Sequence, residues 1–293
     1  MASAGKPGRR RSAPRRRGFL RAATAVMAVV IVLAYGAYLA YRQIQHTRNG
    51  CQALAGTATV QMDPQQGAIA ATIAGVAHAH GLVTGAVTIA YAAAMQESHL
   101  HNLASGDLDS VGVFQQRPSQ GWGTPRQLED PVYAASAFFK ALVKVPGYQR
   151  LPVQVAAQDV QRSADGAAYA RYRQQATRMA VAFTGQQPHA VWCWYTPQTS
   201  GKPAVAAARS GLVQAFGQLD VRLADAPGGA NPAANVRIGH RAVGWAVADW
   251  LVTHAPEYRI SSVRYAGYQW TASAGNRGWV PDPAASSGSV ELR

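Results

Sequence analysis

Residues 94–131 read AMQESHLHNLASGDLDSVGVFQQRPSQGWGTPRQLEDP. Glu97 stands at the end of an apolar helical segment, directly before a loop rich in glycine and proline. A carboxylate in such a place is partly desolvated, which raises its pKa. A carboxylic acid that stays protonated near neutral pH can donate a proton to a glycosidic oxygen. The sequence therefore predicts that Glu97 is a catalytic acid.

Three polar residues near Glu97 are candidates to assist it. Ser98 can form a hydrogen bond that helps to orient the acid. Asp107 and Asp109 follow in a loop that can face the helix end, either as chemical participants or as side chains that organise the loop by accepting backbone N–H bonds. Residues 110–115 then turn the chain back past the acid.

Several motifs occur in order in this region: Gln96-Glu97-Ser98, Gly106-Asp107-x-Asp109-Ser110-x-Gly112-x-Phe114-Gln115 and Gly121-Trp122-Gly123. They resemble the transglycosylase-like members of the lysozyme superfamily, which include soluble lytic transglycosylases and goose-type lysozymes. The run 114–124 with Asp130-Pro131, and the segment 158–163 followed by Tyr169, resemble lysozyme-like domains of actinobacterial cell-wall proteins. The resemblance covers residues 65–185.

The resemblance implies cleavage of the β-1,4 bond between N-acetylmuramic acid and N-acetylglucosamine in peptidoglycan, with Glu97 as general acid and then base. It leaves two outcomes open, an anhydro product made with one glutamate or hydrolysis assisted by aspartates. The implied substrate-binding residues are Gly112, Phe114, Gln115, Trp122 and Tyr169. For Trp122, a sugar-stacking role and a packing role are both open. The alternative function is a non-catalytic peptidoglycan-binding or scaffold component of a membrane-tethered cell-wall or export assembly.

Other classes of site are not indicated. His78 and His80, and likewise His99 and His101, are two residues apart, so on a helix their imidazoles point in different directions and chelate poorly. We find no nucleophile elbow, phosphate loop or dinucleotide fingerprint, and therefore predict no metal and no cofactor. Cys51 and Cys193 are predicted to form a disulfide, with two unrelated buried thiols as the alternative.

The formal net charge of the 293 residues is +14, and it is concentrated at the N-terminus. Residues 1–50 contain ten Lys or Arg and no acid, which leaves 18 basic residues against 14 acids in the remainder. A tail with this charge can bind anionic lipid or a cytoplasmic partner. The folded part has no such excess, so we predict no nucleic-acid binding.

Residues 22–41, AATAVMAVVIVLAYGAYLAY, carry no charge and are long enough to cross a hydrocarbon core as a helix. The positive-inside bias places the N-terminus in the cytoplasm and the rest outside. We therefore predict a single-pass protein of the cell membrane with extracytoplasmic C-terminal domains. The alternative is a cleaved export signal, since residues 16–21 resemble a twin-arginine motif.

The predicted fold is a mainly α lysozyme-like domain after one N-terminal transmembrane helix, followed by a small α+β domain. Asp63-Pro64 and Asp130-Pro131 each predict the start of a helix. Trp250 and Trp270 are expected in the core, whereas Trp245 lies either on a contact surface or on a helix buried on both sides. The predicted segments are a cytoplasmic tail at 1–21, a transmembrane helix at 22–41, a tether at 42–63, a lysozyme-like domain at 64–190, a junction at 191–203 and an accessory domain at 204–293 with a mobile C-terminus.

Overall fold

The computed structural model describes residue 1 and residues 24–39, 49–162, 167–196, 202–224 and 233–293. The chain forms two units, Met1–Thr47 and Arg48–Arg293, and each is described by itself. Most of the predicted basic tail, the two ends of the predicted transmembrane segment and the start of the predicted tether lie outside the described residues.

In the first unit, residues 24–39 are helical (α1), and the large apolar side chains along this helix are exposed. Within the described part of the chain, no helix combines the length and the apolar character needed to cross a membrane. This finding contradicts the predicted transmembrane segment at 22–41. It also contradicts the single-pass placement, with a cytoplasmic N-terminus and an extracytoplasmic remainder, that depended on it.

The second unit begins with a β-hairpin where the sequence predicted a tether. Strand β1 (Gly50–Ala55) pairs antiparallel with β2 (Ala58–Met62) and also with β3 (Val191–Trp194), in the order β2-β1-β3. Cys51 lies directly opposite Cys193 in the β1–β3 register, and the two residues form the predicted disulfide. Both cysteines are fully buried. The disulfide therefore joins two strands of one sheet that are separated by 142 positions in the sequence.

Two alanine-rich helices, α2 (Pro64–Ala79) and α3 (Thr84–Ser98), lie at the centre of this unit. Asp63 caps α2 as predicted, because its side chain accepts a hydrogen bond from the Gln66 N–H and the Gln66 side chain accepts one from the Asp63 N–H. Small side chains let other elements approach these helices from several sides. A Cβ at Gly75, for example, would lie 2.8 Å from the ring of Phe216. Both helices are consequently buried on most of their surface.

Five further helices pack around α2 and α3 or near them. They follow an irregular region at 99–124. Asp130 caps the second of them as predicted, accepting a hydrogen bond from the Val132 N–H. Helix α3 packs against the last four of these five helices, and it makes its most extensive contact with the fifth. The five are α4 (Pro125–Leu128), α5 (Pro131–Leu142), α6 (Val153–Gln161), α7 (Ala167–Ala170) and α8 (Arg173–Phe183).

The remaining elements form a six-stranded antiparallel sheet with three helices. The strands run in the order β4-β5-β9-β6-β7-β8, so the last strand of the chain is inserted between β5 and β6. Residues 289–292, which were predicted to be mobile, form this inserted strand, and Val290 within it is buried. The elements are α9 (Val205–Phe216), β4 (Val221–Ala224), β5 (Ala233–Arg237), α10 (Arg241–Thr253), α11 (Ala255–Tyr258), β6 (Ser262–Tyr265), β7 (Tyr268–Thr271), β8 (Val280–Pro281) and β9 (Ser289–Leu292).

Helix α10 is enclosed, with α2 on one side and strands β3, β6 and β9 on others. Trp245 on this helix is fully buried, so of the two interpretations left open for it the structure selects the helix buried on both sides. Trp250 and Trp270 are also buried, which confirms their predicted core positions. Trp270 Nε1 donates to the Cys193 carbonyl oxygen at 2.9 Å, and the Trp245 ring packs against His189, so these two side chains connect the part after residue 204 to the segment around β3.

The predicted fold class is wrong. About 52% of the described residues are helical and 15% lie in strands, which is a mixed α/β fold rather than a mainly α domain after a transmembrane helix. One cluster of buried apolar residues extends from Cys51 to Leu292. The physical reason is that both sheets depend on pairings between distant segments, which hydrophobic periodicity does not reveal.

Candidate active site

Glu97 lies in the last turn of α3, where the buried helix reaches the protein surface. The residues from Ala86 to Met95 are buried, while Gln96 and Glu97 are partly exposed. The helix ends at His99, which adopts a left-handed conformation with φ of 53°, and Leu100 follows with φ of 60°. The helix thus presents a carboxyl group at its end that is partly removed from water.

Two hydrogen bonds hold the Glu97 carboxyl group. The Tyr169 hydroxyl donates to Glu97 Oε1 at 2.7 Å, and the Gln161 side chain donates a second hydrogen bond to the same carboxyl group. Burial raises the pKa of Glu97, and the hydrogen bonds from Tyr169 and Gln161 lower it. Burial is the larger effect, so the pKa of Glu97 is raised overall and the carboxyl group is reluctant to ionise.

Tyr169 and Gln161 come from separate short helices after the loop region. Tyr169 on α7 is 1% exposed, so its ring is held in the core while its hydroxyl reaches the acid. Gln161 is the last residue of α6, and Arg162 after it adopts a left-handed conformation with φ of 51°. Gln161 Nε2 also donates to the Phe114 carbonyl oxygen at 2.8 Å. Gln161 therefore connects the acid with the turn opposite, a role that the sequence analysis did not assign to it.

The predicted substrate-binding residues of the turn have structural roles of their own. Phe114 is fully buried and stacks on Phe138 with ring centroids 4.6 Å apart, so its side chain does not face a ligand. Gln115 directs its amide inward, where Nε2 donates to the Gly112 carbonyl at 3.0 Å and Oε1 accepts from the Ser110 hydroxyl at 3.0 Å. Residues 112–114 are buried, and Gln115 at the end of the turn is partly exposed.

Gly112 allows the turn to pack tightly. Its φ is 78°, and a Cβ there would lie 2.1 Å from the Leu128 carbonyl oxygen. Its N–H donates to the Leu103 carbonyl at 2.7 Å. A side chain at this position would therefore displace the loop, which explains the glycine without a contact to substrate.

Ser98 fixes the turn rather than the acid. Its hydroxyl is buried and lies 2.7 Å from the Val113 carbonyl oxygen, to which it donates. This hydrogen bond ties the end of α3 to the chain next to Phe114. Ser98 is thus a positioning residue for the surroundings of Glu97.

The two loop aspartates differ in their environment. Asp109 accepts hydrogen bonds from Arg117 Nε at 2.9 Å, from the Ser119 N–H at 2.7 Å and from the Ser119 hydroxyl at 3.0 Å. These donors, with Arg117 the strongest, lower the pKa of Asp109 to about 2. Asp109 therefore organises the loop as a carboxylate, which is one of its two predicted roles. Asp107 is exposed, and among the described residues no hydrogen bond joins its carboxylate to Glu97.

Trp122 is partly exposed and lines a cleft of about 690 Å³. Its carbonyl oxygen accepts a hydrogen bond from the Tyr133 hydroxyl at 3.2 Å, and Tyr133 lines the same cleft. Glu97 does not line this cleft, although Val160 and Arg162, on either side of Gln161, do. The cleft therefore adjoins the residues that hold the acid.

The histidines of the two sequence pairs contact different partners. His80 Nε2 lies 2.9 Å from the Ser136 hydroxyl, His101 Nε2 lies 2.8 Å from Asp63 Oδ2, and His99 Nδ1 lies 3.4 Å from the Tyr172 hydroxyl. Within the described ranges, no group of three or more His, Cys, Asp or Glu side chains is arranged to hold a metal ion.

The site brings together Glu97, Tyr169 and the turn at 112–115, and adds Gln161 to them. Ser98 contacts the turn, Asp109 binds within its own loop, and Trp122 belongs to the neighbouring cleft. Comparison with known proteins adds no further constraint: no protein-family model matches the chain, and no curated protein matches its sequence.

Proposed function

We propose that this chain cleaves glycan strands of peptidoglycan at the β-1,4 bond between N-acetylmuramic acid and N-acetylglucosamine. The observation that carries the proposal is the Glu97 carboxyl group, which has a raised pKa and lies at the end of a buried helix within reach of Tyr169 and Gln161. An acid of this kind is the group that glycosidic bond cleavage requires. The ordered motifs around Glu97, which resemble those of lytic transglycosylases and goose-type lysozymes, support the choice of substrate.

In the proposed mechanism, Glu97 gives its proton to the bridging oxygen while the bond from that oxygen to the sugar C1 atom breaks. The ionised Glu97 is then stabilised by the Tyr169 hydroxyl and the Gln161 amide, which already donate to it. Glu97 next removes a proton from the hydroxyl that bonds to C1. If that hydroxyl is the C6 hydroxyl of the same sugar, an anhydro product forms, and if it belongs to water, the bond is hydrolysed.

The anhydro-forming reaction is the version that this site supports better. Asp109 is engaged by Arg117 and Ser119 and does not serve as a second carboxylate at the acid. Asp107 is exposed to solvent. A reaction that uses one glutamate as acid and then as base needs neither of them.

The test is the release of muropeptides from purified peptidoglycan by the wild type, Glu97→Gln and Glu129→Gln. Glu129 is an exposed glutamate, so its substitution is a matched control. We expect Glu97→Gln to lose about 10²-fold or more in rate, because the amide cannot donate an acidic proton, while Glu129→Gln retains the wild-type rate. The mass of the products distinguishes anhydro ends from hydrolysed ends.

Equal product release by the wild type and Glu97→Gln would remove Glu97 from the mechanism. Binding to purified sacculi without any product from the wild type would favour the alternative function of a non-catalytic wall-binding component.

A further inference from the structure

The cleft beside the site is lined by three parts of the chain. One side of α5 contributes Tyr133, Ser136 and Lys140, and the chain after it continues the lining to Pro146. Residues 120–122 form another part, and the end of α6 closes the cleft near Glu97. A volume of about 690 Å³ is in the range of clefts that bind small molecules or short peptides.

The charged side chains that line the cleft are mostly basic. Lys140, Lys144 and Arg162 face it together with a single acid, Asp159. All four side chains are exposed. Among the described residues, none of the three basic side chains forms an ion pair with a carboxylate. With three basic side chains against one acid, the cleft carries an excess of positive charge, which suits a ligand that carries carboxylates.

The cleft also has a fixed position relative to the acid. Gln161 donates a hydrogen bond to Glu97, while its neighbours Val160 and Arg162 line the cleft. Adjacent residues have Cα atoms about 3.8 Å apart. A ligand in the cleft therefore lies close to Glu97 and to the glycosidic bond that Glu97 is proposed to cleave.

We propose that this cleft binds the acidic peptide carried by N-acetylmuramic acid, with Lys140, Lys144 and Arg162 recognising its carboxylates and Trp122 and Tyr133 contacting its apolar groups. This inference rests on the proposed function and narrows the substrate to glycan strands that still carry peptides. The peptide is attached to the sugar on one side of the scissile bond, so binding the peptide strengthens the binding of the strand beside Glu97. Lys140, Lys144 and Arg162 are thus specificity-determining residues, not catalytic ones.

The experiment compares two substrates and three proteins. The substrates are peptidoglycan with its peptides and the same glycan strands after the peptides have been removed by an amidase. The proteins are the wild type, the double variant Lys140→Gln/Lys144→Gln and the control Lys202→Gln/Arg209→Gln. The control removes the same charge from two exposed residues that do not line the cleft.

We expect the wild type to prefer the peptide-bearing strands and the cleft variant to lose that preference. An exposed ion pair contributes about 1.4- to 5-fold in affinity, so loss of two should raise KM for peptide-bearing strands about 2- to 25-fold. The value of kcat, and the rate on peptide-free strands, should stay unchanged. The control should behave as the wild type on both substrates.

Equal losses on both substrates, or no loss on either, would overturn the inference while leaving the proposed function in place. Titration of each protein with the free acidic peptide, followed by NMR, measures peptide binding at the cleft independently of turnover. If the wild type releases no product but binds this peptide more tightly than the cleft variant does, the proposed function fails and the binding site stands. If the wild type does not bind the peptide, the inference fails. If binding instead requires a phosphate-containing wall polymer, the inference also fails.

Discussion

Replacement of Tyr169 by phenylalanine removes one hydroxyl from the candidate site and leaves the ring in place. That hydroxyl donates to Glu97 Oε1 at 2.7 Å and lowers the pKa of Glu97, against the larger opposing effect of burial. Since the ring is buried and the hydroxyl points to the acid, Tyr169→Phe should preserve packing. The variant therefore isolates the effect of one donor on the acid.

The expected change in the pKa of Glu97 follows from the charge of the hydrogen-bond acceptor. A hydrogen bond to a charged group contributes about 1.5–3 kcal/mol, and the lower end applies here because Glu97 is partly exposed. A loss of about 1.4 kcal/mol corresponds to about tenfold in the ionisation equilibrium. The ionised form loses this stabilisation, so the pKa of Glu97 rises further. The reaction needs the protonated form, so its rate falls as the pH rises through that pKa.

The assay is the pH profile of muropeptide release by the wild type, Tyr169→Phe and Tyr172→Phe. Tyr172 serves as a control because its hydroxyl lies 3.4 Å from His99 Nδ1 and does not contact the acid. We expect the alkaline limb of Tyr169→Phe to move up by about one pH unit, while that of Tyr172→Phe stays in place. A limb that moves to lower pH, or a shift shared by both variants, would show that the Tyr169 hydroxyl does not lower the pKa of Glu97.

Three further predictions concern the disulfide, a buried aspartate and the loop. Joint replacement of Cys51 and Cys193 by alanine should lower the free energy of unfolding by about 5 kcal/mol, which is the chain-entropy value for a loop of 142 residues. Urea denaturation measures this change, and a value below about 1 kcal/mol would contradict the prediction. Asp249 is fully buried, and among the described residues neither of its carboxylate oxygens has a hydrogen-bond partner. Burial raises the pKa of Asp249, so folding stability should fall as the pH rises above 3.8, the ordinary pKa of an aspartate. Asp249→Asn should remove this dependence and be more stable than the wild type at pH 8 but not near pH 3, which urea denaturation at the two pH values would show or disprove. Asp109→Asn should lower the rate of glycan cleavage by less than about tenfold without changing the pH profile, because the role of Asp109 is to order its loop. An acidic limb that is present in the wild type and absent from Asp109→Asn would instead identify Asp109 as a base.

Local sequence signals predicted the parts of the fold that depend on neighbouring residues. The caps at Asp63 and Asp130 mark the starts of α2 and α5, because the capping side chain and its backbone donor are only two or three residues apart. The Cys51–Cys193 pair was also predictable, since these are the chain's two cysteines. At the site, the helix end at Glu97 followed from the break in apolar periodicity.

Features built from distant segments were not predictable in this way. Strand β1 pairs with β3, and the C-terminal strand β9 is inserted into a sheet whose other members lie before it in the chain. Gln161 escaped notice because its hydrogen bonds to Glu97 and Phe114 depend on where α6 ends in space. Phe114 was assigned to the substrate because motif positions do not reveal that its ring stacks on Phe138. The apolar run at 22–41 predicted a membrane span from composition and length, but no helix among the described residues is long and apolar enough to form one.

The raised pKa of Glu97 is tested most directly by titrating its carboxyl carbon by NMR in protein labelled at glutamate. The chain has four glutamates, Glu97, Glu129, Glu257 and Glu291, so comparison with Glu97→Gln assigns the signal. We predict that Glu97 titrates above the ordinary glutamate pKa of 4.5 in the folded protein and returns to it in urea. A folded-state pKa at or below 4.5 would mean that Glu97 is ionised at neutral pH, and would contradict its role as the acid.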